Sequence, residues 1–353
     1  MNASIARAPI DAGTGRYRSA RGIACIAGAA LLCAAARGAP PELLLPLQCS
    51  PNQTCWIANH VDHDAGPEVL DHTCGAMSYN GHDGTDFALQ DRRAMRDGVA
   101  VLAAAAGVVR AVRDGVPDRS VAETGKDRVR DIECGNGVVI DHGDQWQTQY
   151  CHLRQGTIRV RVGTKVAAGA ALGQVGLSGL TEYPHLHFTL RHRGRVIDPF
   201  RGDAAPDRCG AGGRPLWSPD AARQLPYAPG VLYNLGIALE APAPEALREG
   251  AYRAAGAPQE IARNAPALVL YAEFFAVAPG DRVVLTVHGP DGGTLIRRET
   301  TVERRQARRL EYAGRPMPVD GWPAGRYRAQ ASLGHADGSQ GPGTQRSLEF
   351  EVR

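Results

Sequence analysis

A few histidine and aspartate residues near the centre of the chain have the spacing of a metal site. His185 and His187 are one residue apart in the strand-like run "PHLHFTL", so both side chains point to one face. His82 and Asp86, in "GHDGTDFAL", also share one side of a strand or helical turn. Two imidazoles and a carboxylate would bind Zn²⁺ and leave one position open for water. Taken alone, an H-x-H pair equally suits a solvated sheet face.

Zinc in such a site would support hydrolysis, because it lowers the pKa of bound water toward neutrality. Hydrolysis also needs a group that accepts the water proton and a group that stabilises the tetrahedral oxyanion. His152, at the end of "WQTQYCHL", and the spare histidine of the His185 and His187 pair are the candidates. The residues alone leave open which histidine of the pair is the ligand.

Short apolar runs must position these residues, and their pattern predicts an all-β fold. Residues 81–200 contain Val, Ile and Leu-rich runs separated by glycine-containing turns, which indicates an antiparallel β catalytic domain. Residues 37–80, rich in Pro, Asp, His and Cys, predict an irregular lead-in tied by disulfides. Residues 201–262 predict a Pro, Ala and Gly-rich connector with one short helix in "PEALREGAYRAAG". Residues 263–353 alternate apolar and polar positions, typical of an immunoglobulin-like β-sandwich.

The first 36 residues predict a secretory signal peptide. They combine arginines with the apolar run "GIACIAGAALLCAAA" and small residues at 34–36, where a signal peptidase could cut. An uncleaved anchor and a lipoprotein with Cys33 as acceptor are the alternatives. We therefore expect an exported protein of the periplasm or cell envelope, with no transmembrane segment after signal removal, since no later segment approaches roughly 18 uninterrupted apolar residues.

The charge of the chain argues against nucleic acid as a partner. The net charge is +3, and the signal segment contributes four arginines and one aspartate, so its removal (4 − 1 = 3) leaves about zero. No strong basic field remains that would bind a phosphate backbone.

Six cysteines remain after signal removal, and an even number in an exported chain favours disulfides over free thiols or zinc thiolates. They are Cys49, Cys55, Cys74, Cys134, Cys151 and Cys209. The run "CGNGVVIDHGDQWQTQYC" predicts a hairpin around His142-Gly143, which places Cys134 opposite Cys151 and Val139 opposite Trp146. The other four cysteines allow three connectivities.

A second group of polar residues precedes the first motif. The segment "HVDHDAGPEVLDH" suggests either a second metal site or a solvated loop or flap, and we favour the loop or flap. Its candidate residues are His60, Asp62, His63, Asp64 and Asp71. No H-E-x-x-H or G-x-S-x-G motif occurs in the chain, so helix-borne zinc proteases and serine hydrolases have no support.

Three segments in order, "GHDGTDFAL", "GNGVVIDHGDQWQTQYCHL" and "VGTKVAAGAALGQVGLSGLTEYPHLHF", resemble the lysostaphin-like family of zinc metallopeptidases that cut peptide bridges in peptidoglycan. The resemblance covers residues 80–200 and implies a lysostaphin-like catalytic fold and one Zn²⁺ per chain. It also implies that His82, Asp86 and His187 bind zinc and that His152 and His185 are catalytic. The expected function is a zinc endopeptidase acting on peptidoglycan stems or crosslinks.

Two departures from the family pattern bear on this function. Thr189 stands where the second motif usually continues with Glu, at a position that is not a ligand, so we expect activity to survive. Glu182 and Tyr183 replace small residues before the histidine pair, which leaves the substrate preference open. Alternative functions are a noncatalytic activator or wall-binding protein of the same fold, and a secreted protease acting on proteins.

Overall fold

The computed structural model describes residues 39–202, 209–210, 212–252, 259–336, 338 and 343–353. The signal peptide predicted for residues 1–36, with Cys33, lies outside the described residues. In the described ranges no helix combines the length and apolar character needed to cross a membrane. The predicted all-β class is confirmed, because strands dominate and the α-helices in these ranges have at most six residues.

The strands divide into an N-terminal and a C-terminal group. The N-terminal strands are β1 (Cys55–Asn59), β2 (Thr85–Leu89), β3 (Ala100–Leu102), β4 (Gly107–Arg113), β5 (Asn136–Asp141), β6 (Trp146–Leu153), β7 (Lys165–Val166), β8 (Ala171–Gln174), β9 (His185–His192) and β10 (Arg195–Ile197). The C-terminal strands are β11 (Val231–Ala238), β12 (Gln259–Ile261), β13 (Ala267–Val277), β14 (Arg282–His288), β15 (Thr294–Thr301), β16 (Gln306–Pro316), β17 (Gly325–Gly334) and β18 (Gln345–Val352). The helices are α1 (Arg92–Asp97), α2 (Val121–Thr124), α3 (Pro219–Gln224), α4 (Pro244–Glu249) and a 3-10 helix, Lys126–Val129.

The N-terminal strands form an antiparallel sheet in the order β1-β2-β9-β6-β5-β4-β7. Strand β10 also pairs with β9, at Leu190 to His192. It lies on the same edge of β9 as β2, which pairs with the other end of that strand. Strands β3 and β8 form a separate two-stranded sheet. Strand β9 alternates as a half-buried strand should, because Leu186, Phe188 and Leu190 enter the core and leave His185 and His187 on the opposite face.

The C-terminal strands form two further sheets, β11-β13-β16 and β12-β18-β17-β14-β15. Pairing within both is antiparallel except for the parallel pair of β12 and β18. Buried residues of both sheets, among them Leu270 and Phe274 of β13 and Leu285 and Tyr327 of the other sheet, belong to one apolar core. The two sheets therefore pack face to face around shared side chains.

Two strands lie in segments that the sequence analysis assigned to irregular structure. Strand β1 belongs to the predicted lead-in, yet it pairs with β2 and forms the edge of the N-terminal sheet. Strand β11 belongs to the predicted connector, yet it pairs with β13 along its length. The connector prediction was therefore wrong at Val231–Ala238, because turn-forming residues on both sides hid an eight-residue apolar run. The short helix predicted in the connector is confirmed as α4.

The N-terminal and C-terminal sheets meet through an aromatic contact. Trp56 and Ala88 of the N-terminal sheet share an apolar cluster with Tyr233 and Phe275 of the C-terminal sheet. The Arg308 guanidinium lies 5.4 Å from the ring centres of Tyr183 and Tyr233 and 5.6 Å from that of Phe275. Tyr183 is two residues from His185, so the C-terminal sheets abut the segment that holds the histidine pair.

Three disulfides join Cys49 to Cys55, Cys74 to Cys209, and Cys134 to Cys151. The predicted bridge between Cys134 and Cys151 is confirmed, but the register used to predict it was wrong. Val139 pairs with Gln149 rather than with Trp146, because the turn spans residues 142–145 and a bulge interrupts the pairing at Asn136 and Val138. Cys134 reaches Cys151 from the turn before β5, where its carbonyl accepts the His152 amide at 2.8 Å.

Candidate metal centre

The side chains of His82, Asp86 and His187 converge on one point. His82 Nε2 lies 3.1 Å from Asp86 Oδ1 and 3.1 Å from His187 Nδ1, and His187 Nδ1 lies 2.9 Å from Asp86 Oδ1. They are the only His, Cys, Asp or Glu side chains in the described residues that gather three such atoms so closely. The structure therefore brings together the three residues that the family resemblance implied as zinc ligands.

Pairing of two strands places this group. Asp86 of β2 and His187 of β9 are direct cross-strand partners, so their side chains leave the sheet side by side. His82 lies in the turn before β2, where its amide donates to the Tyr79 carbonyl. Gly84 permits the approach, because a Cβ there would lie 2.6 Å from the His187 ring and 2.7 Å from the Phe188 carbonyl oxygen. The H-x-G-x-D pattern is thus a steric requirement.

The hydrogen bonds around the three side chains test whether a metal ion fits. His82 Nδ1 lies 2.7 Å from the His60 carbonyl oxygen and must donate to it, which leaves the Nε2 lone pair facing Asp86. His187 Nε2 lies 3.1 Å from Asp83 Oδ1, so that nitrogen carries a proton, and the neutral form of the ring then has its lone pair on Nδ1. Two nitrogen lone pairs and a carboxylate oxygen then face one another. A cation satisfies all three, and this donor set is one that Zn²⁺ accepts.

The charges around the site also favour a bound cation. Burial on its own lowers the pKa of His187, but hydrogen bonds to Asp83 and Asp86 outweigh burial and raise the pKa to about 9. For Asp86, burial raises the pKa, yet the nearby His82 and His185 hold it well below its usual range. The site therefore keeps an ionised carboxylate and favours positive charge beside it.

A second layer of polar residues holds the three side chains in place. Asn59 Nδ2 donates to Asp86 Oδ2 at 2.8 Å. Asp83 joins His187 to Arg191, whose guanidinium donates to Asp83 Oδ2 at 2.6 Å. Such partners fix the orientation and basicity of metal ligands. The sequence analysis missed them, although Asp83 stands beside His82 in the motif; Asn59, 27 residues before Asp86, carries no signal in the sequence.

His152 and His185 lie together beside the triad, with ring centres 4.6 Å apart and both side chains buried. His152 Nδ1 donates to the Ser178 carbonyl at 2.8 Å, and His185 Nδ1 donates to the Tyr183 carbonyl at 2.9 Å. Each neutral ring therefore keeps its lone pair on Nε2. His185 Nε2 lies 3.5 Å from Asp86 Oδ1, so this lone pair is directed toward the triad.

Burial sets the protonation of this pair. It lowers the pKa of His152 well below its usual range, and the neighbouring His185 and His187 lower it further. Burial also lowers the pKa of His185, against the opposing charge of Asp86. Both rings are thus neutral at neutral pH and can accept a proton. His152 has a φ of 63°, a left-handed conformation that non-glycine residues rarely adopt and that is often found at functional sites.

The second polar group forms a structural network instead of a metal site. Asp71 is fully buried and accepts from the amides of Thr73, Gly75 and Met77 and from the Tyr227 hydroxyl. Asp62 accepts backbone amides at 2.8–3.2 Å, including that of Asp64, and His63 bonds to Asp198. The His60 ring is buried among aromatic rings. The expectation of a solvated loop was therefore wrong at His60 and Asp71.

An antiparallel sheet thus carries a His, Asp and His triad that could hold a metal ion, beside two buried histidines. Residues 80–199 match the profile of "Peptidase family M23". The chain thus contains a domain of peptidase family M23, the lysostaphin-like family that the motifs indicated.

Individual relatives match less than half of the chain. Peptidoglycan DD-endopeptidase ShyA of Vibrio cholerae is 34% identical over 122 residues, which is 35% of this chain and 23% of ShyA. Murein hydrolase activator NlpD of Escherichia coli is 34% identical over 67 residues, 19% of this chain and 17% of NlpD. The catalytic domain of the prophage-encoded M23 protein EnpA from Enterococcus faecalis aligns at 24% identity with a TM-score of 0.27, covering 42% of this chain and 88% of that domain. This chain thus spans about a quarter or less of the curated relatives named.

Proposed function

We propose that the protein is a zinc-dependent endopeptidase that hydrolyses peptide bonds in peptidoglycan stems or crosslinks. The observation that carries the proposal is the convergence of two nitrogen lone pairs and one carboxylate oxygen at His82, Asp86 and His187. ShyA, which is 34% identical to this chain over 122 residues, is named as a peptidoglycan DD-endopeptidase. One Zn²⁺ held by the three side chains would supply Lewis-acid activation of water.

The protein side chains divide the remaining work. His152 and His185 each hold the Nδ1 proton on a backbone carbonyl and present a neutral Nε2. One of these Nε2 atoms accepts the proton of the attacking water and returns it to the leaving amine, and the other ring lies beside the oxygen on which negative charge develops. Asn59 and Asp83 act as positioning residues, because they bond to Asp86 and His187 and do not reach the substrate through these contacts.

The alternative function is a noncatalytic activator of the kind that the name of NlpD describes. The complete triad and the two oriented histidines favour the enzyme, since an activator needs neither. A secreted protease acting on proteins would use the same site, and only the substrate distinguishes it.

We further propose an exported protein that acts in the periplasm or cell envelope. Three disulfides support this location, because such bonds persist in oxidising compartments. We keep 81–200 as the catalytic unit and propose that the C-terminal sheets form an immunoglobulin-like sandwich, in line with their face-to-face packing.

The test is digestion of purified sacculi by the zinc-loaded full chain, with the released fragments identified by mass. We expect peptide-bond cleavage that stops on chelation and is absent in His82→Ala, which also loses its zinc. Cleavage of a denatured protein but not of sacculi would support the secreted protease, and zinc binding without any cleavage would support the activator.

A further inference from the structure

A cavity of about 400 Å³ opens beside the candidate metal centre. His82 and Asp83 form one wall, and Arg195 and Arg201 belong to the opposite wall. The sheet creates this space, because β2 and β10 pair with different halves of the same edge of β9. The turn before β2 and the residues around β10 therefore face each other across a gap, whose volume suits one or two residues of a bound peptide.

The acidic groups of this cavity already have partners. Asp62 accepts backbone amides at both oxygens, with the Gly81 amide at 2.8 Å. Asp83 accepts from His187 at one oxygen and from Arg191 at the other. Asp198 accepts from His63 and from the Phe200 amide, each at 2.8 Å. These carboxylates are held by the protein and have little capacity left for a cationic ligand.

The basic side chains of the cavity, unlike its carboxylates, have few hydrogen-bond partners among the described residues. Arg201 is 94% buried, yet its Nε and Nη2 share a single acceptor, the Gly212 carbonyl, at 3.4 and 3.3 Å. Its Nη1 is buried and has no hydrogen-bond partner among the residues that the structure describes. A buried guanidinium that lacks acceptors is costly unless a ligand supplies them. Arg195 on the same wall is exposed and makes no side-chain hydrogen bond or ion pair with any residue in the described ranges.

We propose that this cavity is a subsite for a free carboxylate of the substrate, bound by Arg201 with help from Arg195. The proposal rests on the proposed function, since it places the carboxylate on the peptide that the adjoining centre would cut. A planar guanidinium matches a carboxylate through paired N–H donors. The protein then selects peptide bonds that lie close to an unblocked carboxylate.

The experiment measures binding separately from cleavage. The probes are fluorescently labelled crosslinked peptides from sacculi, in which each free carboxylate is converted in turn to a carboxamide. The zinc-loaded full chain with His152→Ala serves as the binding form. We expect one conversion to weaken binding about tenfold or more, as for loss of a charge-assisted hydrogen bond. When Arg201→Gln is added to the His152→Ala chain, the acid and the carboxamide peptides should bind with equal affinity.

Three further variants separate recognition from folding. Arg201→Lys keeps the charge and should retain part of the preference for the acid. Arg195→Gln, at an exposed position, should reduce the preference without affecting the fold. Arg161→Gln, at an exposed site outside the cavity, should leave the preference intact. A purely structural role for Arg201 would change both affinities equally and not their ratio.

Two results would overturn the proposal: equal binding of every acid and amide pair, or a preference that survives Arg201→Gln. Failure of the proposed function looks different. If the unsubstituted chain cleaves none of the peptides while the acid preference persists and depends on Arg201, the carboxylate subsite stands and the endopeptidase does not.

Discussion

The histidines of the centre differ in which ring nitrogen is free. His82 and His185 present Nε2, whereas His187 presents Nδ1 because Asp83 holds its Nε2 proton. Hydrogen bonds to backbone carbonyls fix His82, His152 and His185, so the fold itself sets these tautomers. The hydrogen bond that fixes the proton on one ring nitrogen thus decides which nitrogen is free to bind a metal ion or to accept a proton.

Replacement of His152 or His185 by Ala should separate catalysis from metal binding. Neither residue belongs to the triad, so zinc content should remain near one per chain while cleavage of sacculi falls about a hundredfold or more. Metal analysis and cleavage rate on the same preparation check this. Loss of zinc in either variant would show that ligand and catalyst have been exchanged.

Asn59→Ala should weaken metal binding without removing a ligand. The variant loses the 2.8 Å bond to Asp86 Oδ2, and loss of such a partner lowers metal affinity about 10- to 100-fold. Competition with a zinc chelator measures the affinity. Asn80→Ala is the matched control, because Asn80 bonds to the exposed Gly66 carbonyl and should leave the affinity unchanged. Equal affinities for both variants would contradict a positioning role for Asn59.

The sequence predicted the triad but not the residues around it, because the triad, unlike Asn59 and Arg201, lies in recognisable short motifs. His82 and Asp86 share one short motif, and Asp86 meets His187 by direct strand pairing, so the motifs that carry the family resemblance contain all three. Asn59 and Arg201 reach the region from β1 and from the segment after β10. Their positions depend on which strands adjoin, which spacing does not encode.

At the scale of elements, the hairpin of β5 and β6 delivers His152, and the bridge between Cys134 and Cys151 closes it. The bridge was predicted correctly from an incorrect strand register, because the sequence suggested a tight turn at His142-Gly143. The actual turn is longer and uses Asp144 and Gln145 at positive φ. Left-handed residues other than glycine have a weak sequence signature, which explains the error.

Replacing Cys134 and Cys151 together by Ser should destabilise the domain by about 3 kcal/mol in the chain-entropy model, with a separation of 17 residues. Urea unfolding of the oxidised protein measures the change. Cleavage activity should fall as well, since the bridge anchors the strand end where the His152 amide donates to Cys134. Unchanged stability would show that the hairpin needs no covalent closure.

The segment from His60 to His72 should make the fold sensitive to acid. Burial and, to a lesser extent, the neighbouring His72 lower the pKa of His60 to about 3. The unfolded chain takes up a proton below about pH 6.5 while the folded chain does not, so stability is complete above that pH and declines as the pH falls toward 3. The loss at pH 5 should be about 2 kcal/mol.

His60→Phe should remove this part of the acid sensitivity, because Phe fits among Phe200 and Tyr227 and does not titrate. Urea unfolding at pH 7.5 and pH 5 compares the variant with the unsubstituted chain. His288→Phe, on the edge of β14 away from this cluster, is the control and should keep the sensitivity. An equal pH dependence in all three proteins would contradict the assignment.

At the scale of the whole molecule, the C-terminal sheets contribute to the wall of the catalytic region. Arg308 of β16 stacks on Tyr183, and the Tyr183 carbonyl orients the His185 ring. Arg308 also bonds to the Tyr233 hydroxyl and lies 3.5 Å from the buried Glu273 carboxylate. No sequence pattern linked Arg308 to Tyr183, so this contact required the three-dimensional structure.

Arg308→Ala should lower the stability of the protein by about 2–3 kcal/mol, because it leaves Glu273 buried without its cation. Thermal and urea unfolding measure the loss. Arg326→Ala, which removes an exposed pair with Glu349, should cost less than about 1 kcal/mol. Combining Arg308→Met with Glu273→Gln should recover part of the stability, and a double variant no better than Arg308→Ala would refute the charge argument.

The bridge between Cys74 and Cys209 spans 135 residues and has a topological consequence. Every strand from β2 to β10 lies inside the covalent ring that this bridge closes. A single backbone cut anywhere within the ring opens it without dividing the protein, so both pieces migrate as one species until a reductant is added. The strands of the N-terminal sheet from β2 to β10 therefore stay in one covalently joined species after a first proteolytic nick.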